Sequence, residues 1–126
     1  MGTRRPRPLV LDAGALIAIE RGDIRVLRLV QDSDAVHIPA GALAQAWRDP
    51  LRQTRLARTV SSDRVRIHPL DADAAKAAGR LCALAGSSDV VDASVVQVGR
   101  QVDGIVVTSD PQDLRRLDPR VRLAAI

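Results

Sequence analysis

Three short stretches carry the residues best able to do chemistry. Leu9-Val10-Leu11-Asp12 and Val106-Val107-Thr108-Ser109-Asp110 are each an apolar, largely β-branched run that stops at an aspartate. Asp89-Val90-Val91-Asp92-Ala93-Ser94-Val95-Val96 opens a helix with two acids in its first turn and an apolar run behind them. Val95, Val96 and Val98 demand a packed core, which places Asp92 beside that core. Carboxylates gathered in one pocket repel each other, and burying them unpaired is costly. A magnesium or manganese ion relieves that cost, because hard cations take oxygen ligands and magnesium keeps several waters beside one or two carboxylates. Such an ion activates water and stabilises charge on a phosphate oxygen, which is the chemistry of phosphodiester hydrolysis. The three stretches are therefore expected to meet in space, with Asp12, Asp92 and Asp110 as metal ligands.

Each acid also has a plainer reading. Asp110 precedes Pro111 and could be a helix N-cap, with Asp113 as an acidic first-turn residue. Capping explains Asp89 about as well as metal binding does. Asp12 ends a fully apolar strand and has few structural roles open to it, and Asp92 falls in a helix interior, where aspartate has poor propensity. Those two are the stronger candidates. His37 and His68 lie within expected strands without a nearby partner in sequence and read as structural. Gly79, Gly86, Gly99 and Gly104 are scattered and make no phosphate-binding loop, while Ser109 and Cys82 lack a local base.

The elements that must position these residues alternate along the chain. Strands are expected at 9–12, 35–38, 65–68 and 104–108, with an edge strand at 121–126. Helices are expected at 13–20, at 24–30, at 40–49 after Pro39, at 51–60, at 71–84 capped by Asp71, at 89–101 and at 111–117. Alternation of this kind argues for a parallel sheet covered by helices on both faces. Ligands bind such sheets beyond the carboxyl ends of the strands, where strand order reverses, and Asp12 and Asp110 both sit at strand carboxyl ends. Arg48, Arg52 and Arg55 fall on one helical side, which could track phosphates or simply face solvent. Residues 1–8 read as a short basic tail and 9–126 as one domain.

Composition narrows the classes further. The 126 residues are 46% apolar and 27% charged, as in a folded globular protein. A net charge of +4 and a pI near 10.8 permit a polyanionic partner, although GC-rich coding can also produce eighteen arginines beside the single Lys76. Trp47 is the only aromatic, suited to core or interface, so stacking of unpaired bases on aromatic platforms is disfavoured. The single Cys82 excludes an intramolecular disulfide and a cysteine zinc site, and fits a reducing cytoplasm. No apolar run approaches the ~18 residues of a membrane span. A phosphoacceptor receiver domain would want paired acids after the first strand and a lysine after the last, but Asp12 stands alone and Lys76 lies mid-chain.

Leu-Asp-Ala-Gly-Ala-Leu-Ile-Ala at 11–18, Asp-Val-Val-Asp-Ala at 89–93 and Thr-Ser-Asp-Pro-Gln-Asp-Leu at 108–114 resemble a PIN domain. More narrowly, they resemble the VapC toxins of bacterial toxin–antitoxin pairs. The resemblance implies a three-layer α/β/α sandwich with a central parallel sheet and a magnesium- or manganese-dependent endoribonuclease site. It also implies a homodimer and a VapB-like antitoxin whose C-terminal segment lies in the active-site groove. By position, the first, third and fourth acids of the family are Asp12, Asp92 and Asp110, with Asp89 and Asp113 as supporting acids. Arg48 and Arg52 would position the RNA backbone. The departure is Gln45, which stands where the family usually has a glutamate. Glutamine can hydrogen-bond a metal-bound water but brings no charge. Glu20, the only glutamate, either reaches the same pocket or lies on the surface. Two readings stay open: a metal-dependent ribonuclease, and a catalytically weakened PIN-like domain that binds RNA or protein.

Overall fold

The computed structural model describes residues 7–126. The chain runs β1 (Leu9–Leu11), α1 (Ala13–Glu20), α2 (Ile24–Asp32), β2 (Val36–Pro39), α3 (Ala40–Ala46) and α4 (Thr54–Val60). It continues β3 (Val65–His68), α5 (Ala72–Ala85), α6 (Val90–Val102), β4 (Ile105–Thr108), α7 (Pro111–Leu117) and β5 (Leu123–Ala125). Residues 1–6 of the expected basic tail lie outside the described residues. Arg7 pairs with Asp103 at 3.0 Å.

The five strands form one parallel sheet in the order β3-β2-β1-β4-β5. From β1 the chain steps outward through β2 to β3, then crosses back over both to β4 and on to β5. Right-handed crossovers put the helices of the outward steps on one face and those of the return on the other. The packing agrees: α1 meets α2, α3 and α4, and α6 meets α5 and α7, with α3 of the first group also reaching α6. The result is the α/β/α sandwich that the alternation of elements implied. Strand order reverses between β1 and β4, so the crevice beyond their carboxyl ends is the place to look for a ligand.

The core is aliphatic. Leu11, Leu16, Ile19, Ile38, Leu56 and Leu114 are fully buried together with valines of β1, β4 and α6. Removing each such side chain from water is worth about 1.5–3 kcal/mol, enough to dictate which face of each helix turns inward. Among the described residues no single helix is long and apolar enough to cross a membrane; α5 and α6 pass such a test only as a pair bent by 108°.

Two expected helices are shorter than anticipated. The one expected at 40–49 stops at Ala46, and the one expected at 51–60 begins at Thr54. Gln53 explains both ends. Its Oε1 accepts from the backbone N–H of Arg48 at 2.7 Å and of Asp49 at 3.1 Å, and its Nε2 donates to Ala46 O at 2.8 Å. One side chain thus satisfies groups that a continuing helix would have paired, and 47–53 becomes a loop. The arginines expected on one helical side are accordingly dispersed. Arg48 lies in the loop and donates to Ala44 O and Trp47 O, Arg52 pairs loosely with Asp49 at 3.8 Å, and Arg55 of α4 donates to Glu20 O.

Candidate active site

Asp12 follows β1 directly and is buried, with 4% of its surface exposed. It is the N-cap of α1, its Oδ1 accepting from Ala15 N at 2.8 Å. The strand-ending acid therefore has a structural role after all, because the chain turns straight from β1 into α1 and the first turn needs an acceptor. Burial raises the Asp12 carboxyl above its usual range, the Thr108 hydroxyl and the Ala15 N–H oppose that rise, and Asp110 adds to it.

Asp92 is the third residue of α6 rather than an interior one, so it sits in the first turn, where acids are favoured. The N-cap is Asp89, whose Oδ1 accepts from Asp92 N at 2.9 Å. Burial comes first in pushing the Asp92 carboxyl up to about 7, followed by repulsion from Asp89, a hydrogen bond with Asp89, and the charges of Asp12 and Asp113. Asp12 thus feels the charges of Asp92 and Asp110, which makes the three acidic stretches neighbours at the carboxyl ends of β1 and β4.

Asp110 holds the N-cap position of α7, but its side chain makes no capping hydrogen bond. Instead its backbone N–H donates to Thr108 Oγ1 at 2.9 Å. The fully buried Thr108 thus links Asp12 to the backbone of Asp110, and leaves the Asp110 carboxylate exposed and uncommitted. Two clefts open at this end of the sheet. One, of about 340 Å³, is lined by Ser87, Asp89, Asp92, Asp113 and Arg116. The other, of about 300 Å³, is lined by Ser109, Asp110 and Asp113. Asp113 borders both, and Arg116 faces it at 3.8 Å.

The remaining sequence candidates fall elsewhere or at the margin. Gln45 is exposed on α3 and lines neither cleft. One turn earlier Gly41 abuts Val91 and Ser94 of α6, so the α3 face that carries Gln45 is turned toward the helix of Asp92. Glu20 is tied to the opposite layer: its Oε2 accepts from Leu56 N at 3.2 Å in the first turn of α4. Neither Arg48 nor Arg52 lines a cleft. Among the described residues, no three histidine, cysteine or carboxylate side chains close around a common point.

Residues 9–118 match the family model for the PIN domain. The chain belongs to the PIN domain family. Its fold is shared with solved structures of low sequence identity. A Rickettsia felis VapBC2 complex bound to a promoter DNA fragment is similar at TM-score 0.67 and 17% identity, over 94% of this chain and 98% of that one. FitAcB from Neisseria gonorrhoeae is similar at TM-score 0.60 and 17% identity, over 91% and 95%. Mycobacterium tuberculosis VapC20, a sarcin-ricin loop cleaving toxin, is similar at TM-score 0.58 and 18% identity, over 78% and 86%. No curated protein matches the sequence.

In this PIN domain the roles of Thr108, Ser109, Gly14 and Arg116 were not anticipated from sequence, Ser109 having been weighed only as a nucleophile. The first two were visible as polar residues interposed between an apolar strand and its acid. Gly14 is less legible: a Cβ there would run into Ser109 Oγ and lie 3.5 Å from Asp12 Oδ1. Gly14→Ala is expected to turn the exposed Ser109 hydroxyl aside at a cost of about 1 kcal/mol or less, read as a slightly lowered urea midpoint.

Proposed function

We propose that this PIN domain is a metal-dependent endoribonuclease of the VapC type, the toxin of a toxin–antitoxin pair. One observation carries the reading: buried Asp12 and half-buried Asp92 stand within mutual repulsion in the crevice where strand order reverses. Two acids held against their own charge call for a hard cation. The carboxylates of Asp12 and Asp92 would hold Mg2+ or Mn2+, with Asp110 ligating the ion or its water. When bound, the ion would supply an activated water and charge stabilisation at the scissile phosphate. Asp89 and Asp113 keep the cleft acidic, and Gln45 can offer its amide to a water at the rim.

Arg116 lines the cleft beside Asp113 and would meet an RNA phosphate there, and Arg48 and Arg52, outside both clefts, would add contacts to the RNA backbone. Affinity borne by such contacts falls steeply with salt. A VapB-like antitoxin and a second copy of the chain are the proposed protein partners, and the cytoplasm the proposed location. The first of these is supported by the VapBC2 complex with which the fold is shared.

Purified protein, folded and free of antitoxin, is expected to cleave a structured RNA pool with Mn2+ or Mg2+ and to stop when EDTA is added. Silence under every condition favours the second reading, an RNA- or protein-binding module weakened at Gln45. That reading draws support from the uncharged, exposed Gln45 and from the absence of a closed three-acid set among the described residues. Gln45→Glu separates the two, since a gain in metal affinity or cleavage marks a site short of one ligand.

A further inference from the structure

His37 of β2 and His68 of β3 stand on one face of the sheet. In the parallel register His37 lies opposite Arg66 and His68 opposite Pro39, which makes the two histidines diagonal neighbours. His37 Nδ1 is 2.7 Å from His68 Nε2, with ring centroids 4.9 Å apart and planes inclined by 50°. Two neutral imidazoles satisfy such a contact when one nitrogen donates its N–H and the other accepts. Burial lowers the basicity of both rings. Arg66 adds to this for each, and His68 adds to it for His37. They therefore present the neutral form that ligates metals. His68 also lines an open cavity of about 420 Å³ shared with Asp71, Asp73 and Gln97, which gives solvent a route to the pair.

The 2.7 Å contact is that of a hydrogen bond, and a small turn of each ring opens it to the ~2.9 Å that separates two nitrogens at a right angle on one first-row ion. Paired imidazole nitrogens suit borderline ions, and the order of affinity for such donors peaks at copper. Right-angled nitrogen positions belong to tetragonal Cu2+ and Ni2+.

We propose that His37 and His68 form a two-imidazole site for a tetragonal transition-metal ion, Cu2+ or Ni2+, separate from the aspartate crevice. On binding, the donor ring moves its N–H to its outer nitrogen, and each ring turns its lone pair from its partner to the shared ion. No proton is gained or lost overall. Among the described residues no third histidine, cysteine or carboxylate closes on the pair, so water fills the remaining positions. Arg66 opposes the added charge from β3, while Asp71 and Asp73 face the cavity that His68 lines. Those charges act alike on every divalent ion, so the imidazole donors set the preference, and it is greatest for copper. Oxygen donors at the crevice and nitrogen donors here divide hard from borderline cations between two places.

The test uses tag-free, EDTA-treated protein titrated with Cu2+, Ni2+, Zn2+ or Mn2+ by calorimetry, with electron paramagnetic resonance on the copper form. One Cu2+ per chain is expected, with hyperfine structure from two imidazole nitrogens and a raised melting temperature, because the ion ties edge strand β3 to β2. Ni2+ and Zn2+ should follow in weakening order, and Mn2+ should bind only at the aspartate crevice, keeping its affinity in His37→Asn and leaving the ring resonances of both histidines unbroadened. His37→Asn and His68→Gln are each expected to weaken copper binding by on the order of tenfold or more. Asp12→Asn should leave it unchanged. Should either histidine variant fail to fold, the wild type still decides: substoichiometric Cu2+ must broaden the ring resonances of His37 and His68 before any others. Copper binding that survives both substitutions, or broadening that begins at the aspartates, overturns the proposal.

Discussion

Asp92→Asn is expected to silence RNA cleavage and at the same time to make the metal-free protein more stable at neutral pH. The two effects have one cause. Asp92 is held half-buried beside Asp89, Asp12 and Asp113, and its carboxyl is pushed up to about 7 from an unfolded value near 3.8. The folded state thus keeps a proton that the unfolded chain has already released. Stability falls as pH rises through that window, and the whole penalty is present above it. Asparagine carries no charge to repel, and its amide can donate to Asp89 as the protonated acid does. Solvent screening of a half-exposed group reduces the gain to about 1–2 kcal/mol, or about 5 °C in melting temperature. In EDTA the variant should melt higher than wild type at pH 8, with the difference shrinking toward pH 5. Cleavage in Mn2+ should fall on the order of a hundredfold or more. Because the ion competes with that proton, wild-type Mn2+ affinity should rise as pH passes through about 7. A variant that cleaves normally, or that melts lower at pH 8, is incompatible with an acid strained for metal binding.

Leu11→Ala is expected to have the largest effect on stability. Leu11 is fully buried in the central strand and lies opposite Val107 of β4 in the register. Close-packed neighbours on both faces of the sheet leave little room for collapse around a missing isobutyl group. The expected loss is roughly 2–5 kcal/mol, a large share of the ~5–15 kcal/mol that holds a domain of this size together. Urea denaturation should show a lower midpoint at unchanged slope. Leu123→Ala in edge strand β5 removes the same group from a half-buried position and should cost less than about 1.5 kcal/mol.

What could be read from the residues followed burial. Runs apolar on every side, such as Leu9–Leu11, Val106–Val107 and Val95–Val96, have one way to be satisfied, and the sheet with its covering helices follows from them. Asp12, Asp92 and Asp110 were legible as acids that such runs bring together. Contacts made by polar side chains across distant segments were not legible. Gln53 ends one helix and delays the next by bonding to residues 46, 48 and 49, and no local propensity announces that role. Glu20 was open between the crevice and the surface, and it does neither, capping α4 from 36 positions away. His37 and His68 looked partnerless because strands adjacent in the sheet lie 31 residues apart in the chain. Asp12 hid its capping role for a simpler reason: β1 passes into α1 without a loop, so the strand-ending acid is also the helix-starting one.

Edge strand β5 bears on solubility. β5 supplies three residues, Leu123 to Ala125, paired in parallel with Val106 to Thr108, and it lies beyond the part of the chain matched by the family model. A chain cut after Asp118 would keep all the candidate acids, yet would bare the hydrogen-bonding edge of a buried valine-rich strand. Such an edge is a template for pairing with another copy. The last residues act as a gatekeeper against aggregation, and their deletion should show first in light scattering rather than in catalysis.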